Sequence, residues 1–85
     1  MKLILCSKCQ DIVRLQNYRR YCSCGQSSGF YKDDLRAVYS GDAIPLGIDN
    51  HDLTRAVLNQ PVSGQWEAFK AGVIPVKCST FKKDK

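Results

Sequence analysis

Four of the five cysteines lie in two tight clusters, Cys6-Ser7-Lys8-Cys9 and Cys22-Ser23-Cys24-Gly25, with twelve residues between them. Two close thiol pairs joined by a short connector are what a tetrahedral metal site requires, each pair giving two sulfurs to one ion. Thiolates are soft donors, and four of them close the shell of a divalent d10 ion and leave no position for water. Such a centre is structural, and Zn2+ bound by Cys6, Cys9, Cys22 and Cys24 is the reading this pattern favours; disulfides, free thiols or an iron centre are the alternatives. The two-residue spacing of the first pair predicts a tight turn. The one-residue spacing of the second predicts extended backbone with Cys22 and Cys24 on one face. Gly25 supplies a backbone free to take positive φ, while Gln10 stands where a glycine often follows the first pair.

Length strengthens the argument. A chain of 85 residues reads as one domain with one small core, worth about 3–5 kcal/mol, against an apparent ~10–16 kcal/mol from a structural zinc. The apolar run after Met1-Lys2 is only Leu3-Ile4-Leu5, too short for a leader peptide, and no run approaches a membrane span. Paired thiols in such a chain point to a reducing cytosol, hence a cytoplasmic protein.

Charge comes in blocks. Residues 1–32 carry six basic side chains against Asp11, residues 33–69 are acidic, and residues 70–85 carry five lysines against Asp84. The formal net charge is +5. Four thiolates and one divalent cation would lower it by two, so the folded protein is less basic than its composition states, and this weakens a reading based on charge alone.

The pattern along the chain predicts a small α+β fold. An N-terminal zinc ribbon, a β-hairpin carrying the four-cysteine site, is followed by short antiparallel strands and one or two short helices. Residues 2–5 read as a strand, and residues 12–15 and 18–22 as a hairpin around Gln16-Asn17. Ser27-Ser28-Gly29 reads as a loop, residues 35–40 and 43–48 as strands with Pro45 at an edge, and Gly41-Asp42 as a turn. Asp49 or Asn50 caps a helix with Leu53, Ala56 and Val57 on its apolar stripe, ended by Asn59 and Pro61. Ser63 caps a second helix bearing Trp66 and Phe69, and residues 73–76 form a final edge strand. The expected organisation is a single domain over residues 1–78, with the ribbon at 1–25 and its extension at 26–78, then a mobile basic tail at 79–85.

Beyond the cysteines the chemistry is thin. His51 reads as a solvated residue beside a helix cap, Cys78 as a small packing residue, and Asp33-Asp34 as a loop pair. No nucleophile–base pair and no open metal position is visible, so a non-enzymatic protein is expected. Lys8, Arg14, Arg19 and Arg20 with Tyr18 suggest a nucleic-acid surface built on stacking and phosphate contacts. Ser27, Ser28, Tyr31 and Lys32 suggest a loop whose amides hold a phosphorylated ligand such as a nucleotide. The plainer reading of the same loop, and the one favoured, is a flexible connector leaving the ribbon.

Residues 1–25 resemble the zinc-ribbon class. Cys22-Ser23-Cys24-Gly25, Ser28-Gly29, Tyr31, Asp33-Asp34-Leu35, Tyr39, Gly41 and Pro45-Leu46-Gly47 are also similar to a group of short uncharacterised proteins of bacteria and their phages, a likeness over roughly residues 1–50. The resemblance implies a small accessory protein, encoded by a bacterium or its phage; the mixed charge blocks and short edge strands favour one that docks on a host protein or assembly and modulates it. The ribbon class adds nucleic acid or transcription and replication machinery as partners, although a fold does not fix a function.

Overall fold

The computed structural model describes residues 1–84. Eight strands and one helix follow in the order β1 (Lys2–Cys6), β2 (Ile12–Arg14), β3 (Arg20–Tyr21), β4 (Ser27–Tyr31), β5 (Ala37–Gly41), β6 (Ala43–Ile48), α1 (Asn50–Leu58), β7 (Ala71–Val73) and β8 (Phe81–Lys83). They form two four-stranded sheets, ordered β2-β1-β6-β7 and β3-β4-β5-β8. All pairings are antiparallel except β5 with β8. Ile4, Cys6, Val13 and Leu15 from the first sheet and its margin meet Cys22, Ala37, Tyr39 and Phe81 from the second in one buried cluster. The core therefore draws on both sheets; Cys6 and Cys22 lie within it, Cys9 packs against it and Cys24 is exposed.

The chain changes sheet three times, after β2, after β5 and after β7. Residues 12–15 and 18–22 do not pair with each other. β2 pairs back on β1, with Ile4 opposite Val13, and β3 pairs forward on β4, with Arg20 opposite Gly29. Leu15 is buried between them, and the Gln16 carbonyl accepts from the Tyr31 amide at 2.7 Å, so Gln16-Asn17 is a crossing between sheets and not a hairpin turn. The second crossing is Gly41-Asp42. Gly41 has φ +76°, and a Cβ there would overlap the Gln26 carbonyl oxygen, so only glycine fits this close approach.

Ser27-Ser28-Gly29 is not a loop but the start of β4, between β3 and β5. Small residues suit it because a Cβ at Gly29 would meet the Val38 carbonyl oxygen at 2.8 Å and the Leu15 side chain. Pro45 lies on β6, which is interior, with β1 on one side and β7 on the other. Its carbonyl accepts from Ile74 at 2.9 Å. Having no N–H, it cannot return the bond, and the β7 ladder stops at Val73 opposite Leu46, so the proline acts as a terminator on that side.

The helix forms as its capping signal dictates. Asp49 accepts from the Asp52 amide, and Asn59 closes the other end. Ala56 is buried, but Val57, expected on the packed face, is 63% exposed. The second helix expected after Ser63 is absent: residues 61–70 have no regular structure, and Gly64 sits at φ +89°, outside the helical region. Gly72, expected to end that helix, instead lies within β7.

The expected mobile tail is also corrected. Phe81 is 0% exposed and packs edge-on against Tyr39, ring centroids 5.2 Å apart. That burial turns residues 81–83 into β8, despite the lysines around it. Among the described residues no helix is long and apolar enough to cross a membrane.

Candidate metal centre

The Sγ atoms of Cys6, Cys9, Cys22 and Cys24 all lie within 4.8 Å of one another. Two of the separations are 3.7 Å (Cys6–Cys24) and 3.6 Å (Cys22–Cys24). A tetrahedron with metal–sulfur bonds of about 2.3 Å has edges of about 3.8 Å, so these four cysteines are placed to hold one metal ion.

Each pair sits on a turn at the end of a strand. In the first, the Gln10 amide donates to the Cys6 carbonyl at 2.9 Å and the Lys8 amide to the Cys6 sulfur at 3.4 Å. Gln10 takes φ +64°, filling the glycine position of the turn at some backbone cost. In the second, the Gly25 amide donates to the Cys22 carbonyl at 3.1 Å, with Gly25 at φ +79°. This is a turn and not the expected extended backbone. It closes into β4 through the Cys22 amide, which donates to the Ser27 carbonyl at 3.0 Å.

A clamp that the sequence did not reveal joins the two turns. Asp11 Oδ2 accepts from both the amide and the hydroxyl of Ser23, each at 2.9 Å, while the Asp11 carbonyl accepts from the Cys6 amide. The first turn thus fixes the second before any ion is considered. An aspartate and a serine, each near a cysteine pair, were the only visible signal.

The thiols do not ionise alike. The Ser27 hydroxyl, then the amides of Cys9 and Lys8, hold the Cys6 thiol down to about 6 despite its burial. Burial pushes the Cys22 thiol up, but the Ser27 amide and the Cys24 thiol outweigh it and leave that group below its usual value. At Cys24 the Gln26 amide pulls downward, yet burial and the three neighbouring sulfurs drive the thiol up to about 12. The cluster ionises easily at its first sulfur and resists at its last. That is how close, mutually repelling donors behave.

The other candidate residues are dispersed. Arg19 is committed internally: it donates to the hydroxyls of Ser28 (2.7 Å) and Ser40 (3.1 Å), stacks 4.8 Å over the Phe30 ring and pairs with Asp84. Arg20 donates to the Arg14 carbonyl at 2.8 Å. Lys8 and Tyr18 are exposed, Lys8 within the first turn. Ser27 and Ser28 are buried in β4, and their amides cannot cradle a phosphate. The Tyr31 hydroxyl accepts from the Lys2 amide. A cleft of about 610 Å³ does collect Arg14, Tyr31 and Lys32, but Asp33 and Asp34 line it too. His51 is exposed on α1 and joins no cysteine or carboxylate cluster among the described residues. Cys78 packs against the core, its sulfur 3.5 Å from the Thr80 hydroxyl.

One region the sequence did not single out is the apolar surface over residues 57–76. Val57, Leu58, Val62, Trp66, Phe69, Val73 and Val76 are all exposed, Trp66 at 94% and Val62 at 103%. Leu53, Ala56, Val57, Pro61, Trp66 and Phe69 line a groove of about 450 Å³ beside α1. Arg55 ties residues 61–70 to the helix through Glu67 and the Ala68 carbonyl, both at 2.8 Å.

No protein-family model matches the chain, and no curated protein or solved structure shows significant similarity to it. The four-sulfur cluster is consistent with a metal-binding ribbon on its own geometry.

Proposed function

We propose that the chain is a non-enzymatic docking module whose fold is held by a structural zinc ion, a small bacterial or phage accessory factor that receives an extended segment of a host protein. Zinc is the reading because four cysteine sulfurs close a tetrahedral shell with no site for a reacting water. The observation that carries docking is the coincidence of the exposed apolar surface with an open sheet edge. β7 pairs with β6 on one side only. The Asp49–Lys70 and Ile74–Pro45 bonds fix the parity of the ladder, so the amides and carbonyls of Ala71 and Val73 point outward. An exposed edge beside large apolar side chains suits β-strand addition, in which backbone bonds give affinity and neighbouring pockets give specificity. The competing nucleic-acid and nucleotide readings have less support, because Arg19, Ser27 and Ser28 serve the interior.

The test pairs two variants. Val73→Pro removes an outward amide without touching the β6 ladder, and Trp66→Ala removes a side chain that packs on little. Both should fold as the wild type does. A photoreactive residue at Val76 should crosslink a discrete host protein in the wild type, and the crosslink should disappear in both variants. A crosslink that persists in both, or none in native lysate, refutes the docking reading. Elemental analysis giving no stoichiometric zinc refutes the metal reading.

A further inference from the structure

We propose that the host segment taken up at β7 is acidic, and that its carboxylates lie along a basic track running from Arg14 to Lys83. The inference rests on the docking reading and deepens it by giving the chemistry of the segment. Three surface clefts are joined through shared residues. The first, of about 610 Å³, is lined by Arg14 and Lys32. The second, of about 290 Å³, shares Lys32 with it and adds Lys82. The third, of about 450 Å³, shares Lys82 and adds Lys77 and Lys83. The parallel pairing of β8 on β5, with Lys82 opposite Val38, brings the C-terminal lysines beside Lys32.

All five cations are exposed, and none enters an ion pair among the described residues. The acids along the track do not balance them. Asp33 accepts from the amides of Leu35 and Arg36 at 3.0 and 2.8 Å and pairs with the Arg36 guanidinium at 2.7 Å, so its charge is already met. Asp34 alone stands against the five positive side chains. Lysines on an edge strand deter stray pairing, and that role covers Lys82 and Lys83 on β8. It does not cover Lys32 and Lys77, which stand in bends off the strands. Clefts lined by one sign of charge concentrate a partner of the other sign. The track ends at Val76, which belongs to the exposed apolar surface beside β7. One extended polypeptide can therefore fill both, with apolar side chains at the β7 edge and carboxylates on the lysines. A nucleic acid gains less. Single strands stack their bases on aromatic rings, yet the Tyr31 ring already carries the Lys2 ammonium 5.4 Å from its centre, and Tyr39 and Phe81 are buried.

The experiment uses the full chain and three labelled probes: a valine–threonine strand peptide flanked on both sides by glutamates, the same peptide with glutamines in their place, and an oligothymidylate of matching charge. In stopped-flow fluorescence at low salt the glutamate peptide should associate at least about tenfold faster than the glutamine peptide, and added salt should shrink that advantage. Combining Lys77→Glu, Lys82→Glu and Lys83→Glu should abolish the advantage and leave the rate of the glutamine peptide unchanged. Lys32→Glu, away from β8, should reduce it in the same direction, so a disturbed β8 cannot account for the result. Equal rates for the two peptides, both lost in Val73→Pro, overturn the proposal and leave the docking reading standing. Rates that ignore Val73→Pro overturn the docking reading. Binding of neither peptide overturns the proposal, and the Val76 crosslink then judges the docking reading by itself. Tighter binding of the oligothymidylate than of the glutamate peptide overturns the proposal in favour of a nucleic-acid surface.

Discussion

Phe81→Ala tests the part of the fold furthest from sequence expectation. The Phe81 ring is fully buried and makes an edge-to-face contact with Tyr39 at 5.2 Å and 89°. Truncating a buried phenylalanine costs about 3–5 kcal/mol, of which an aromatic pair of this geometry accounts for about 0.5–1.5. A core of this size supplies only ~3–5 kcal/mol by itself. The substitution should therefore remove nearly all the stability that does not come from the metal. With zinc bound, the apparent ~10–16 kcal/mol from the centre keeps the variant folded. At about 4–8 °C per kcal/mol, its Tm should still fall by at least about 12 °C. With excess chelator the variant should be unfolded at 25 °C. Circular dichroism, scanned thermally and in urea with and without zinc, reads all three outcomes. A zinc-loaded variant within about 0.5 kcal/mol of wild type, the range of a surface substitution, would show that β8 is not docked. A chelated variant with a cooperative transition would refute the dependence on the ion.

Asp11→Ala should destabilise the zinc-loaded protein by about 1–3 kcal/mol in urea titrations, because the Ser23 amide and hydroxyl, each at 2.9 Å, lose a charged acceptor; Asp11→Asn should recover part of that. Gly41→Ala should cost more than about 1 kcal/mol by the same measurement, since φ +76° and the overlap of the new Cβ with the Gln26 carbonyl oxygen both oppose it. Zinc binding at pH 7 should release protons, at minimum from the Cys24 thiol, which lies at about 12 in the free protein. Calorimetry in buffers of differing ionisation enthalpy should show that release, and apparent affinity should weaken as pH falls through about 6, where Cys6 takes up its proton. Enthalpies independent of the buffer would contradict it.

The sequence was most legible where one local constraint dominates. Sulfur donors must converge on one point, so the spacing of Cys6, Cys9, Cys22 and Cys24 revealed the site without knowledge of the fold. Asp49 and Asn59 bracket α1 through bonds made within a turn or two; Asn59 was readable, and the N-cap was narrowed to Asp49 or Asn50. Pairing partners were not. Residues 12–14 and 20–21 are neighbours in the chain, but their hydrogen bonds go to β1 and β4, a choice made by the packing of Leu15 and Tyr31 and invisible to composition. Ser27-Ser28-Gly29 has loop composition because a central strand there must admit the Leu15 side chain and the Val38 carbonyl. Trp66 and Phe69 have helical spacing, yet Trp66 is 94% exposed and Gly64 before it takes φ +89°, and tertiary contact decides such short segments. The Asp11–Ser23 clamp went unnoticed because groups that brace a metal site carry no fixed spacing.

The sulfur pairs belong to different sheets: Cys6 closes β1 of one, and Cys22 follows β3 of the other. An ion seated there would act as a clasp between the two sheets, and its departure would loosen their contact instead of fraying one turn. The lifetime of such a chain among cellular proteases would then follow the supply of free metal, with scarcity shortening it and abundance prolonging it.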